Sequence, residues 1–105
     1  MKDPIQLFTY GTLQDLDIQL RLFGRKLSGD PDILIGYQLS DKKIMGKYKG
    51  IHETCAQEDR LEGVLYVLKT QELLDTDIYE GEAYKRILVT LASGRKAWVY
   101  VENAI

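Results

Sequence analysis

Apolar positions in this chain switch between two spacings. Residues 5–10, IQLFTY, are β-rich and bounded by Pro4 and Gly11, which predicts a first strand. Beyond it the spacing becomes helical. Leu16, Leu20 and Phe23 fall at i, i+4 and i+7, predicting a helix over 15–23 with that stripe inward and Gly24 as its stop. Residues 26–32, KLSGDPD, read as a loop by their turn chemistry. A second strand is expected over 33–39, interrupted by Gly36, a residue that inside a strand marks a bulge or a close backbone approach. Residues 40–60 are polar, with a short strand expected around 44–48. Residues 61–68, LEGVLYVL, form the clearest strand. Thr70 is placed to cap a helix over 71–79, with Glu72 favouring the dipole in its first turn, Leu74 and Ile78 as its buried side and Gly81 as its stop.

The last third reads as a hairpin. Residues 83–91 and 95–101 flank a Ser93-Gly94 turn. Ile87, Val89 and Leu91 face one way, and Tyr84, Arg86, Leu88 and Thr90 the other. Ala97, Val99 and Val101 alternate with Lys96, Trp98 and Tyr100. Both faces are at least half apolar, the pattern of strands covered on both sides or rolled around a core. Five or six mainly antiparallel strands with two short helices make an α+β protein. A small barrel or strongly curled sheet is expected, because two helices are too few to cover an open one.

The 105 residues suit one domain, 1–105. A 45% apolar and 29% charged composition is that of a soluble globular protein. The net charge of -2 provides no basic footprint for nucleic acid. The N-terminus lacks the apolar core of a signal peptide, and no apolar run approaches membrane-spanning length, so a cytoplasmic protein is expected. Cys55 is the sole cysteine, which excludes an internal disulfide and reads as a loop or partly buried thiol. With His52 as the sole histidine, it makes too few ligands for zinc.

Two stretches carry possible chemistry. At Tyr10-Gly11-Thr12-Leu13 a strand passes directly into a helix start, a junction that exposes backbone N–H groups and favours an anion. The phosphate-loop pattern is absent, so a small carboxylate fits better than a triphosphate. The alternative is a plain connection with Thr12 as a cap. Glu80 stands at the predicted end of the second helix, where the dipole and partial burial both raise a carboxyl pKa, as suits a group that exchanges protons near neutral pH. The alternative is a solvated surface glutamate.

Together these stretches resemble the γ-glutamylcyclotransferase-like (AIG2-like) family. Tyr10-Gly11-Thr12-Leu13 is similar to its opening motif, and Gly63-Val64-Leu65-Tyr66 to its middle strand. Leu74-Asp75, Glu80-Gly81 and Tyr84-Lys85-Arg86 follow its late pattern, and Trp98-Val99-Tyr100-Val101 its ending. One departure is Lys49 after Tyr48, where many members have Pro. The resemblance implies a small mixed barrel with flanking helices and a cavity for a γ-glutamyl group. It implies release of 5-oxoproline from a γ-glutamyl amine or amino acid, without metal or cofactor. Glu80 matches the family's acid/base, and Tyr10, Gly11, Thr12 and Leu13 match the loop that grips the glutamyl carboxylate. Tyr84 is a candidate pocket wall, with a core aromatic as its alternative, and Arg86 reads as a structural ion pair. A non-catalytic module that binds a small carboxylate or a protein through the same cavity is the competing reading.

Overall fold

The computed structural model describes residues 5–44 and 48–102. The chain runs β1 (Ile5–Thr9), a 3-10 turn (Thr12–Gln14), α1 (Leu16–Phe23), β2 (Gly29–Ile35), β3 (Tyr37–Ile44), β4 (Tyr48–Glu53), β5 (Arg60–Leu68), α2 (Thr70–Glu80), β6 (Tyr84–Thr90) and β7 (Lys96–Glu102). Five strands form one sheet in the order β2-β5-β1-β7-β6, and β3 and β4 form a separate hairpin. In the main sheet only β1 and β7 pair in parallel; the other pairs are antiparallel.

The period-2 pattern is sorted onto two faces as the sequence requires. Phe8, Leu65, Val99 and Val101 point to one face, where Tyr37 and Ile51 of the β3–β4 hairpin cover them. Leu7, Tyr66, Leu68 and Tyr100 point to the other, against Leu13, Leu27 and Leu73 beside the helices. Burying side chains of this size contributes roughly 1.5–3 kcal/mol each.

The expected barrel does not close: the hydrogen-bonded sheet ends at β2 on one side and β6 on the other. It takes the other expected form and curls strongly. The turn after β6 reaches β2 through Ala92 N–H to Ile33 O (2.8 Å) and Ser93 Oγ to Asp32 Oδ2 (2.6 Å). Side-chain and turn bonds do there what a ladder would do in a closed barrel.

The expected strand over 33–39 is two strands. Gly36, at φ 87°, breaks it, and its N–H and C=O turn to Asp59 O (2.8 Å) and Thr54 N (2.7 Å). The start of β2 also takes in Gly29 to Asp32, assigned above to a loop, because these residues pair with β5 from Tyr66 to Gly63. Pro31 is accommodated there because β2 is an edge strand. Of the strand expected around 44–48, Ile44 ends β3, Tyr48 begins β4, and 45–47 lie outside the described residues.

Both helices form, but each turns a different face inward from the one expected. Of the expected α1 stripe, Phe23 packs against the core but Leu16 and Leu20 are 47% and 48% exposed, whereas Gln19 is only 2% exposed. The Gln19 amide donates to Leu13 O (2.8 Å) and accepts from Leu27 N (2.9 Å), so its burial leaves both amide groups bonded. In α2, Leu74 and Ile78 are 46% and 81% exposed, and the buried face carries Glu72, Leu73 and Thr76. Lys69, not Thr70, occupies the N-cap position, and Glu72 accepts its N–H (2.9 Å) while Arg25 grips the same carboxylate through Nε and Nη2 (2.9 and 2.8 Å). Gly24 ends α1 in the left-handed conformation. The Ser93-Gly94 turn stands where expected, with Gly94 at φ 91°.

Candidate active site

The strand-to-helix junction is a 3-10 turn. Its internal bonds run from Gln14 N to Gly11 O (3.1 Å) and from Asp15 N to Thr12 O (2.9 Å). The N–H groups of Gly11, Thr12 and Leu13 precede the first of these donors and have no acceptor within the turn. The loop that presents them is held from several directions. Tyr10 Oη donates to Tyr100 O (2.6 Å), Thr12 Oγ1 lies 2.9 Å from Tyr79 Oη, and Gln14 Nε2 donates to Thr9 O (2.9 Å). Leu13 is buried, and Gln19 holds its carbonyl. At the end of β1 the backbone passes so close to β5 that a Cβ on Gly63 would overlap Thr9 O and the Phe8 ring. Glycine at 63 is a packing requirement of the site.

Glu80 is the last residue of α2, immediately before Gly81, which adopts φ 76°. Its carboxyl opens into a cleft of about 320 Å3 lined by the loop residues 10–13 together with Phe8, Thr9, Leu39, Tyr84 and Tyr100. Among the described residues that line it, Glu80 is the only acid, and no Lys, Arg or His is present. Burial raises the Glu80 carboxyl from its ordinary value to about 7. Burial also pushes the Tyr10 and Tyr100 phenols well above their ordinary range, with negative charge at Glu80 contributing to both. Both therefore stay protonated at neutral pH and act as hydrogen-bond donors.

Every residue expected to be catalytic or to bind substrate lines this one cleft: Glu80, Tyr10, Gly11, Thr12, Leu13 and Tyr84. Tyr84 satisfies both of its readings, being buried in the core and lining the cleft. Thr12 makes no side-chain cap; its hydroxyl goes to Tyr79. Arg86 forms the expected ion pair, with Nε and Nη2 each 2.9 Å from the two oxygens of Asp77. Sequence reasoning missed Phe8, Thr9, Leu39 and Tyr100 as lining residues. For Tyr100 a signal existed: hairpin register places it opposite Arg86, two positions from Tyr84 on the same face. Cys55 and His52 lie outside the cleft, both exposed.

A profile of the family described as gamma-glutamyl cyclotransferase, AIG2-like, matches residues 7–104. The chain belongs to this family. No match was found among curated protein sequences. Among solved structures, an Arabidopsis thaliana protein determined in solution superposes with a TM-score of 0.82 at 22% identity, covering 97% of this chain and 64% of its own. A structure named gamma-glutamyl cyclotransferase gives 0.77 at 16% identity, covering 96% and 68%. An uncharacterized Homo sapiens protein gives 0.75 at 18% identity, covering 98% and 69%. The chain thus spans about two thirds of the length of these structures. At such identities the likeness establishes the shared fold.

Proposed function

We propose that this family member is a cyclotransferase that releases 5-oxoproline from a γ-glutamyl amine or γ-glutamyl amino acid, with Glu80 as general acid/base. The observation that carries the reading is that Glu80, its carboxyl raised to about 7, and the residues of a fixed turn whose first amides have no acceptor within that turn line one cleft. The loop amides of residues 11–13 receive the substrate's negative oxygen atoms, its α-carboxylate or the oxyanion that develops on the γ-carbonyl. The α-ammonium, with a pKa of about 8, must lose a proton before it attacks. Ionised Glu80 takes that proton. The α-nitrogen then bonds to the γ-carbon, the original γ-amide C–N bond breaks, and Glu80 returns the proton to the departing nitrogen. The α-nitrogen gives up a second proton as the lactam forms and the departing nitrogen takes up a second, so the products are 5-oxoproline and the amine as its ammonium, with no net change in protons or electrons. The cleft contributes by holding the glutamyl chain folded for the intramolecular attack. Phe8, Tyr84 and Tyr100 supply walls that keep water from the reacting atoms.

The test is 5-oxoproline release from a panel of γ-glutamyl amines and γ-glutamyl amino acids. Glu80→Gln keeps the shape and removes the proton carrier, so kcat is expected to fall by about 100-fold or more. In the unaltered protein kcat/KM is expected to fall as pH drops below about 7, because the base is then protonated. Full activity in Glu80→Gln would remove Glu80 from the mechanism. Calorimetric binding without turnover would favour the non-catalytic module.

A further inference from the structure

The last turn of α2 carries Glu80 and is tied down on two sides. On one side Tyr79 Oη meets Thr12 Oγ1 of the amide loop at 2.9 Å. On the other, Asp77, three residues before Glu80, receives both nitrogens of the Arg86 fork at 2.9 Å and the Tyr100 hydroxyl at 2.6 Å. Arg86 is itself held by stacking, its guanidinium 4.3 Å from the centroid of the Trp98 ring. Tyr100 continues the connection inward, because its carbonyl accepts the Tyr10 hydroxyl at 2.6 Å. A chain of polar contacts therefore runs from Arg86 on β6, through α2 and β7, to the first residue of the loop.

Tyr84 and Tyr100 separate the Glu80 cleft from a second, more open hollow of about 400 Å3, which Asp77, Arg86 and Trp98 complete. The charged groups of that hollow already bond one another and Tyr100, so it acts as a buttress for the wall rather than as a second ligand site.

We propose that Arg86, acting through Asp77 and Tyr100, is a positioning residue of the cleft: its two-pronged grip on Asp77 locks the helical turn that carries Glu80 and fixes Tyr100 as the opposite wall. This rests on the reading of Glu80 as the acid/base. Around Glu80 stand Tyr10 from the loop, Asp77 and Tyr79 from α2, Tyr84 and Arg86 from β6, and Tyr100 and Glu102 from β7; Glu72, Asp75, Lys85 and Lys96 complete the charged groups of these elements. Arg86→Lys leaves the charge pattern of this set unchanged and removes only the fork. A purely electrostatic role for Arg86 therefore predicts a silent variant, and a positioning role does not.

The experiment compares the unaltered protein with Arg86→Lys and Asp77→Asn by steady-state 5-oxoproline release and by carbon-13 NMR titration of the Glu80 carboxyl. In both variants kcat is expected to fall by about tenfold or more while KM stays within about threefold, the mark of a misplaced group rather than a lost contact. The Glu80 midpoint is expected to move down from about 7, because a loosened turn admits water to the carboxyl. Variants that lose only thermal stability, with kcat and the Glu80 midpoint unmoved, would overturn the proposal. If the unaltered protein releases no 5-oxoproline from any substrate, the functional reading fails separately. The titration still decides the positioning role, which an unmoved midpoint in Arg86→Lys overturns. Should Asp77→Asn fail to fold, Arg86→Lys carries the test alone.

Discussion

Glu80 shows how one side chain can serve chemistry at a cost to stability. Its carboxyl rises from an ordinary 4.5 to about 7 because water is partly excluded from it. The folded protein therefore binds the Glu80 proton more tightly than the unfolded chain does. Below the unfolded value both states are protonated and the residue costs nothing. As pH rises from 4.5 through about 7 the folded state must hold an ionised, half-buried carboxylate, and stability falls. The difference amounts to about 3 kcal/mol once both states are ionised. Glu80→Gln, expected above to be inactive, is thus expected to be more stable than the unaltered protein at pH 8. That advantage should shrink progressively toward pH 5, and urea unfolding at pH 5, 6, 7 and 8 measures it. An advantage independent of pH would mean that burial does not raise this carboxyl. The direction was legible at the residue scale from the helix-end position of Glu80, though spacing alone left a solvated glutamate as the alternative. Tyr100 was missed despite the hairpin register that pointed to it, since an aromatic on a strand face reads first as core. Asp77 was missed too, because its partners lie 9 and 23 residues away.

At the scale of elements, existence was legible and orientation was not. An eight-residue helix with the sequence LDIQLRLF offers two apolar stripes, one through Leu16 and Leu20 and another through Ile18 and Leu22. Spacing alone ranks the first higher, because Phe23 extends it to a third apolar position. The folded chain chooses the second, since Gln19 can bond Leu13 O and Leu27 N and so fasten the amide loop to the segment that follows α1. In α2 the same inversion buries Glu72 and Thr76, with Thr76 Oγ1 donating to Glu72 O (2.7 Å) and Arg25 neutralising Glu72. Removing Gln19 should therefore cost far more than removing the leucine beside it. Gln19→Ala leaves a buried carbonyl and a buried amide without partners, for an expected loss of about 2–5 kcal/mol. Leu20→Lys, on the exposed face, is expected within about 0.5 kcal/mol of the unaltered protein. Urea denaturation of the two variants measures the contrast, and equal costs would return α1 to the orientation its spacing suggests.

At the scale of the whole molecule, the two-faced strands and the terminal hairpin were readable from alternation, and they led to the expectation of a barrel. What alternation cannot convey is how a curled sheet meets its own far edge. Here one carboxylate makes part of that junction, beside the Ala92 to Ile33 backbone bond. Asp32 sits at the β2 edge, nearly buried, and accepts from Ser93 Oγ at 2.6 Å and from its neighbour Ile33 N at 2.8 Å. Burial pushes its pKa upward, and the Ser93 and Ile33 bonds more than offset this, so that the carboxyl titrates below its ordinary value. A depressed acid adds stability that is present above the unfolded pKa and lost as pH falls through the folded one. Asp32→Ala is accordingly expected to cost about 1.5–3 kcal/mol at pH 7, the range for a hydrogen bond to a charged group, and less in acid. The damage should also be local. The Ala92 amide, bonded to Ile33 O across the junction at 2.8 Å, is expected to exchange faster with deuterium, while the amide of Val99 in the fully buried centre follows only the change in global stability. Equal acceleration at both amides would mean that β2 and the β6–β7 turn open only when the whole sheet does. In that case the curl is held by the core beneath it and not by the bond at its rim.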